Sequence, residues 1–182
     1  GQPARARAAY EAVLAAFPKH FDALYLLGVL CIQSGQPRQA ADLLRRALAE
    51  VPQHPDANSD LGNALFELGD YPQALAYLDR ALALNPNHAE AWYTRGRSLQ
   101  ALGQSLEAIN AYDRALALVP ALPEAHINRG VALHALKRHH EALQSYERAI
   151  ALNPQSATAH YNLAVTQLAL RQYEAALKST DL

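Results

Sequence analysis

A chain of 182 residues with 51% hydrophobic and 18% charged residues carries a formal net charge of −1. That balance excludes a global field able to draw in nucleic acid or an anionic membrane. The single cysteine, Cys31, excludes an internal disulfide, so the cytoplasm is the expected location, with the periplasm still open. No apolar run reaches the roughly 18–20 residues of a membrane span, and the first residues do not have the pattern expected of a signal peptide. The absence of methionine leads us to expect a piece of a longer protein.

The elements follow in order. Residues 4–17 predict a helix with Tyr10, Val13, Leu14 and Phe17 on one side, closed by Pro18 because the residue before proline avoids helical angles. Further helices are predicted at 21–34, 38–50, 55–68, 72–84, 89–102, 106–118, 123–136, 140–152, 157–170 and 174–180. Pro18, Pro52, Pro86, Pro120 and Pro154 stand 34 residues apart at every step. A fixed period of this size marks a solenoid of stacked supersecondary units. The expected organisation is one solenoid over 1–182. A partial unit at 1–20 supplies a second helix only. Full units at 21–54, 55–88, 89–122 and 123–156 follow, and a partial unit closes the chain at 157–182.

Numbered within each unit, the rows have physical reasons. Position 8 holds Gly28, Gly62, Gly96, Gly130 and then Ala164; position 20 holds Ala40, Ala74, Ala108, Ala142 and Ala176. Small residues there let the two helices of a unit approach, while Leu44, Leu78, Tyr112 and Tyr146 at position 24 fill the space between. Ala47, Ala81, Ala115 and Ala149 at position 27 admit the next unit. Position 15 holds Gly35, Gly69 and Gly103, suited to a left-handed C-cap, and then Lys137 and Arg171. Since a left-handed non-glycine costs roughly 1–2 kcal/mol, less tight turns are expected at those two.

Trp at position 4, Leu-Gly at 7–8, Ala at 20, an aromatic at 24, Ala at 27 and Pro at 32 resemble the tetratricopeptide repeat. Trp92, Gly96, Leu99, Ala108, Tyr112, Ala115 and Pro120 carry the match in the third unit, and Leu27-Gly28 and Leu61-Gly62 carry it in the first two. Departures are Arg95 and Arg129 at position 7, Cys31 at position 11 and Thr180 at position 24. The resemblance implies an all-α fold, a right-handed superhelical solenoid of antiparallel helix pairs. It also implies that the first helices line a concave groove for a peptide or partner helix, through positions 2, 5, 6, 9, 12 and 13.

Asp60, Asn63, Thr94, Arg97, Asn128 and Asn162 are then the expected polar contacts, with Tyr25, Tyr93 and Tyr161 as anchors. Arginine and tyrosine are residue types that dominate interfaces. Asn128 and Asn162 are similar to the asparagine ladder of O-linked N-acetylglucosamine transferases; the plainer reading is a polar helix surface. Tyr and Val at positions 5 and 9 also suit packing between neighbouring first helices. Asp22, Asp56, Glu90 and Glu124 at position 2 either face the groove or answer the helix dipole. Because members that clamp acidic chaperone tails place Lys and Arg where this chain has acids, an acidic C-terminal ligand is not expected. The unit at 55–88 holds five acids and one Arg, which favours a basic or polar guest.

No catalytic residue, metal or cofactor is expected. The histidines at positions 34 and 4 sit a repeat apart, too far for one zinc ion whose ligand atoms lie about 2 Å away. The glycines are not clustered into a phosphate loop, and Cys31 lies among Leu30 and Ile32. Three functions are carried forward. The first is a non-catalytic protein–protein interaction scaffold. The second is the substrate-recruiting arm of a larger enzyme, such as a glycosyltransferase of the kind named above. The third is self-association through the end units, where Leu170, Leu177 and Leu182 look lightly covered.

Overall fold

A computed structural model describes residues 2–180. Among the described residues the fold is all-α. Its helices are α1 (Gln2–Ala16), α2 (Phe21–Gln33), α3 (Pro37–Glu50), α4 (Pro55–Glu67), α5 (Tyr71–Leu84), α6 (Ala89–Ala101), α7 (Ser105–Leu118), α8 (Pro123–Ala135), α9 (His139–Leu152), α10 (Ala157–Ala169) and α11 (Tyr173–Thr180). Every predicted helix is present, with ends within two residues of expectation. The chain forms two compact units, Gly1–Thr94 and Arg95–Leu182.

In the Gly1–Thr94 unit, α2 pairs with α3 and α4 with α5. Their shared interior contains Leu24, Leu27, Cys31, Leu44, Leu61, Leu65 and Leu78. Gly28 lies beneath Leu44 and Gly62 beneath Leu78, so close that a methyl group at either would sit 2.9 or 2.6 Å from the leucine Cγ. In the Arg95–Leu182 unit, α8 pairs with α9 and α10 with α11, around Ile109, Leu133, Tyr146 and Leu163. There Tyr112 and Tyr146 at position 24 supply aromatic rings. The alanines of positions 20 and 27 are buried throughout both units.

The five turns that join α2 to α3, α4 to α5, α6 to α7, α8 to α9 and α10 to α11 share one geometry. Gly35, Gly69 and Gly103 have φ of 67°, 79° and 76°, and Lys137 and Arg171 match them at 60° and 61°. In each turn the next residue's N–H reaches back to a carbonyl five residues earlier. The bonds run from Gln36 to Cys31 at 2.8 Å, Asp70 to Leu65 at 3.0 Å, Gln104 to Leu99 at 2.9 Å, Arg138 to Leu133 at 3.0 Å and Gln172 to Gln167 at 2.9 Å. This closes the same Schellman cap, with its left-handed residue at the turn, in all five. The expectation of looser turns at Lys137 and Arg171 is therefore corrected: the hydrogen bonds and the packing hold the side-chain-bearing residues in the left-handed well. Replacing Lys137 by Gly removes that strain, and the greater freedom of glycine in the unfolded chain offsets part of the gain. Chemical denaturation should show Lys137→Gly more stable by about 0.5–1 kcal/mol.

Two histidine rows have structural work. His20, His54 and His88 stand before α2, α4 and α6, and their Nδ1 atoms accept from the N–H of Ala23, Ala57 and Ala91 at 3.3, 3.2 and 3.2 Å. Ser156 does the same for α10 through its hydroxyl oxygen. These are N-caps, satisfying backbone donors that the first turn leaves open. Position 4 supplies a donor to the proline carbonyl of the preceding turn: Asn58 to Pro52 at 3.0 Å, Trp92 to Pro86 at 2.8 Å, His126 to Pro120 and His160 to Pro154, both at 3.0 Å. Three residue types thus make one bond, and the proline row is tied to the next helix by its carbonyl as well as its ring.

Candidate functional site

The most developed polar arrangement in the Gly1–Thr94 unit lies on the first helices. Tyr25 on α2 stacks on Phe21, ring centroids 5.8 Å apart and planes 6° from parallel, and packs against His54 at 5.1 Å. Phe21 also meets His54, at 4.9 Å. Offset aromatic contacts of this kind fix ring orientation, and they aim the Tyr25 hydroxyl at α4. There it donates a hydrogen bond to the carboxylate of Asp60.

Asp60 is the electrostatic centre of this face. Its carboxyl is pushed up to about 6, chiefly by burial, with the negative charges of Glu90 and Asp56 adding to the rise. The Tyr25 hydroxyl and His88 oppose it. Tyr25 is in turn raised well above the ordinary phenol range, by burial first and then by Asp60. His88 Nε2 lies 3.4 Å from Asp56 Oδ1. Because His88 Nδ1 already accepts from Ala91, Nε2 carries the ring proton and faces the Asp56 carboxylate. Three carboxylates thus act on one another across α4 and the start of α6, partly answered by one phenol and one imidazole.

Asn63, one turn beyond Asp60 on α4, is half-buried, as is Tyr93 on α6. Thr94 is different. Expected among the polar contacts, it is only 2% exposed, enclosed rather than presented. Phe21, His54 and His88 are not among the expected contacts. The one sequence signal for Phe21 is its place four residues before Tyr25, a spacing that puts both on one helix side. His88 and Asp56 show no pairing signal along the chain.

In the Arg95–Leu182 unit the expected contacts are Arg97, Asn128, Tyr161 and Asn162. Arg97, Asn128 and Asn162 are half-buried, and Tyr161 is 66% exposed. Helix α10 presents Tyr161, Val165 and Leu168 as an exposed apolar stripe, and Tyr173 and Leu177 are exposed on α11. Leu170 is half-buried, and Leu182 lies outside the described residues. Behind the stripe, Thr166 donates its proton to the Asn162 carbonyl at 2.8 Å. His134 Nδ1, 2.8 Å from the same hydroxyl oxygen, is therefore the donor in that contact. Burial, and secondarily His139, holds His134 below the ordinary imidazole range.

Cys31 is fully buried, 3.6 Å from an Arg7 nitrogen. Burial pushes its thiol up more than Arg7 draws it down, which suppresses the reactive thiolate.

Comparison with known proteins gives a consistent picture. Tetratricopeptide repeat profiles match residues 32–98, residues 1–55 and 93–157, and residues 145–178. None of the curated proteins compared matches. Among solved structures, MamA is 28% identical over 83% of this chain and 88% of its own, with a TM-score of 0.76. MamA residues 41 to the end from Desulfovibrio magneticus RS-1 is 24% identical over 87% and 90%, with a TM-score of 0.81. YrrB, described as a TPR protein with an unusual peptide-binding site, is 22% identical over 94% and 88%, with a TM-score of 0.79.

Proposed function

The chain belongs to the tetratricopeptide repeat family, and from that premise we propose that it is a non-catalytic scaffold holding a peptide or partner helix against its first helices. Within that reading, the first-helix face of the Gly1–Thr94 unit takes a segment bearing Lys or Arg. Tyr25 and Tyr93 flank the segment, Asp60 accepts its cation, and Asn63 pairs with its backbone. In the Arg95–Leu182 unit, Arg97, Asn128, Tyr161 and Asn162 play the corresponding parts. The fold shared with YrrB, a protein described by its peptide-binding site, is compatible with such a role.

The observation that carries the proposal is the state of Asp60. Burial and two neighbouring carboxylates disfavour the charged form of this half-buried carboxyl, an arrangement that works against stability at neutral pH unless a cation completes it. An arriving ammonium or guanidinium group supplies that cation through charge-assisted hydrogen bonds.

The test is isothermal titration of the chain with a Lys-containing peptide and with its Glu-substituted counterpart at pH 7.5. Binding is expected for the Lys peptide alone. Asp60→Asn combined with Glu90→Gln should weaken it by about tenfold or more, the loss of one to two charge-assisted bonds. Equal binding of both peptides, or an unchanged affinity in the double variant, would remove the acidic face from the account.

A further inference from the structure

We propose that the cleft between α7 and α9, floored by α8, is a second binding site, one that takes an oxyanion group: a carboxylate or phosphate presented by a partner. The site lies in the Arg95–Leu182 unit and is independent of the acidic face described above. A cavity of about 370 Å³ opens there, and its polar lining is Asp113, His126, Arg129, Gln144, Ser145 and Arg148.

Two repeat positions differ here from the first full unit. Position 7 is a buried leucine in the first two full units, Leu27 and Leu61, and Arg129 here. Position 23 is Leu43, also buried, in the first full unit and Ser145 here. Where leucines fill the interior, an arginine and a serine leave space lined with polar atoms. Concave sites with a few fixed polar groups are where ligands bind.

Arg129 is held rigidly. Its Nε donates to Asp113 at 2.6 Å and its Nη1 donates to the Ser145 hydroxyl at 2.7 Å. Ser145 directs its own proton to the Glu141 carbonyl at 3.1 Å, so toward Arg129 it is an acceptor. Two of the guanidinium's five N–H bonds are thereby used in a fixed plane. Of the charged residues on the lining, Arg129 and Arg148 oppose Asp113 alone, a balance of two positive against one negative. His126 uses Nε2 as the donor to Pro120. A pre-oriented guanidinium, a second arginine at the rim and the Gln144 amide suit the planar or tetrahedral oxygens of an anion. The Asp113 carboxylate on the same wall offsets one of the two positive charges, so a guest meets one net positive charge and the remaining Arg129 N–H groups.

The test is NMR observation of the backbone amides of the full chain during titration with inorganic phosphate and, separately, with sodium acetate, ionic strength held constant with NaCl. Saturable shifts are expected at Gln144, Ser145 and Arg148. A response to both anions identifies a carboxylate as sufficient, and a response to phosphate alone identifies a phosphate group; either supports the site. Arg129→Leu, which restores the residue type of Leu27 and Leu61, should abolish the shifts while thermal unfolding remains cooperative. Arg148→Ala, which leaves the Arg129 bonds in place, should weaken binding by about tenfold. No saturable response to either anion, or shifts unchanged in Arg148→Ala, would overturn the proposal.

Discussion

Replacing Asp60 by Asn should make the protein more stable at pH 7.5 by about 1–3 kcal/mol, and no more stable at pH 4. The sign follows from the direction of the shift. The native carboxyl titrates at about 6, above the ordinary value near 3.8 from which it is raised. Between those values the native state holds more protons than the unfolded state, so stability falls as pH rises through the window and the deficit is complete above it. The amide side chain of Asp60→Asn has no charge to bury and keeps a carbonyl oxygen for the Tyr25 hydroxyl, so the deficit disappears. Under the proposed function, the same substitution should weaken binding of a cationic peptide. Gain of stability with loss of binding is the mark of a residue retained for an interaction at the expense of the fold. Urea unfolding of both proteins at the two pH values reads the first half. Equal stabilisation at pH 4 and pH 7.5 would assign the effect to packing instead of charge.

Gly130→Ala should destabilise the protein by about 1–3 kcal/mol, more than the same change at Gly28. A methyl group at Gly130 would meet the Tyr146 ring at 2.5, 2.7 and 2.8 Å. The ring is planar and stiff, and Tyr146 is only 1% exposed, so it has little room to move. At Gly28 the nearest atom is the Leu44 Cγ at 2.9 Å, farther off and on an equally buried but more flexible aliphatic side chain. Overpacking is relieved where the neighbour yields. In a double-mutant cycle, Tyr146→Leu should recover at least about 0.5 kcal/mol of the Gly130→Ala loss. Strictly additive losses would mean that glycine acts here through the backbone and not through contact with the ring.

The fold was legible because the repeat is written several times. No single glycine or alanine is diagnostic, yet the recurrence of Gly28, Gly62, Gly96 and Gly130 opposite Leu44, Leu78, Tyr112 and Tyr146 placed the helix pairs to within two residues. The periodicity did not reveal which bonds the variable positions make. The position-34 histidines invite a metal hypothesis and are N-caps, because Nδ1 of histidine can accept from a first-turn amide as the Ser156 hydroxyl does. Lys137 and Arg171 keep a turn that glycine makes elsewhere, since the hydrogen bond five residues back does not require a particular side chain.

The site was legible only in part. A register assigns each residue a position on its own helix but not how neighbouring first helices rotate against one another. Tyr25 and Asp60, 35 positions apart, are separately expected on the groove side; their hydrogen bond appears only when α2 and α4 are side by side. Thr94 shares its register position with Asp60, yet Asp60 is half-buried and Thr94 enclosed. The variable positions hold what is particular to this chain, and their surroundings differ from one repeat to the next.

The most direct measurement is the carboxyl titration of Asp60 by side-chain carbonyl NMR, in the free protein and in the presence of saturating Lys-containing peptide. A midpoint at about 6 is expected in the free protein, displaced downward when the peptide's ammonium group lies beside the carboxylate, because an opposite charge favours the ionised form. A midpoint that stays in place while the peptide is bound would contradict that expectation: the peptide would then be held elsewhere, and Asp60 would have no part in receiving it.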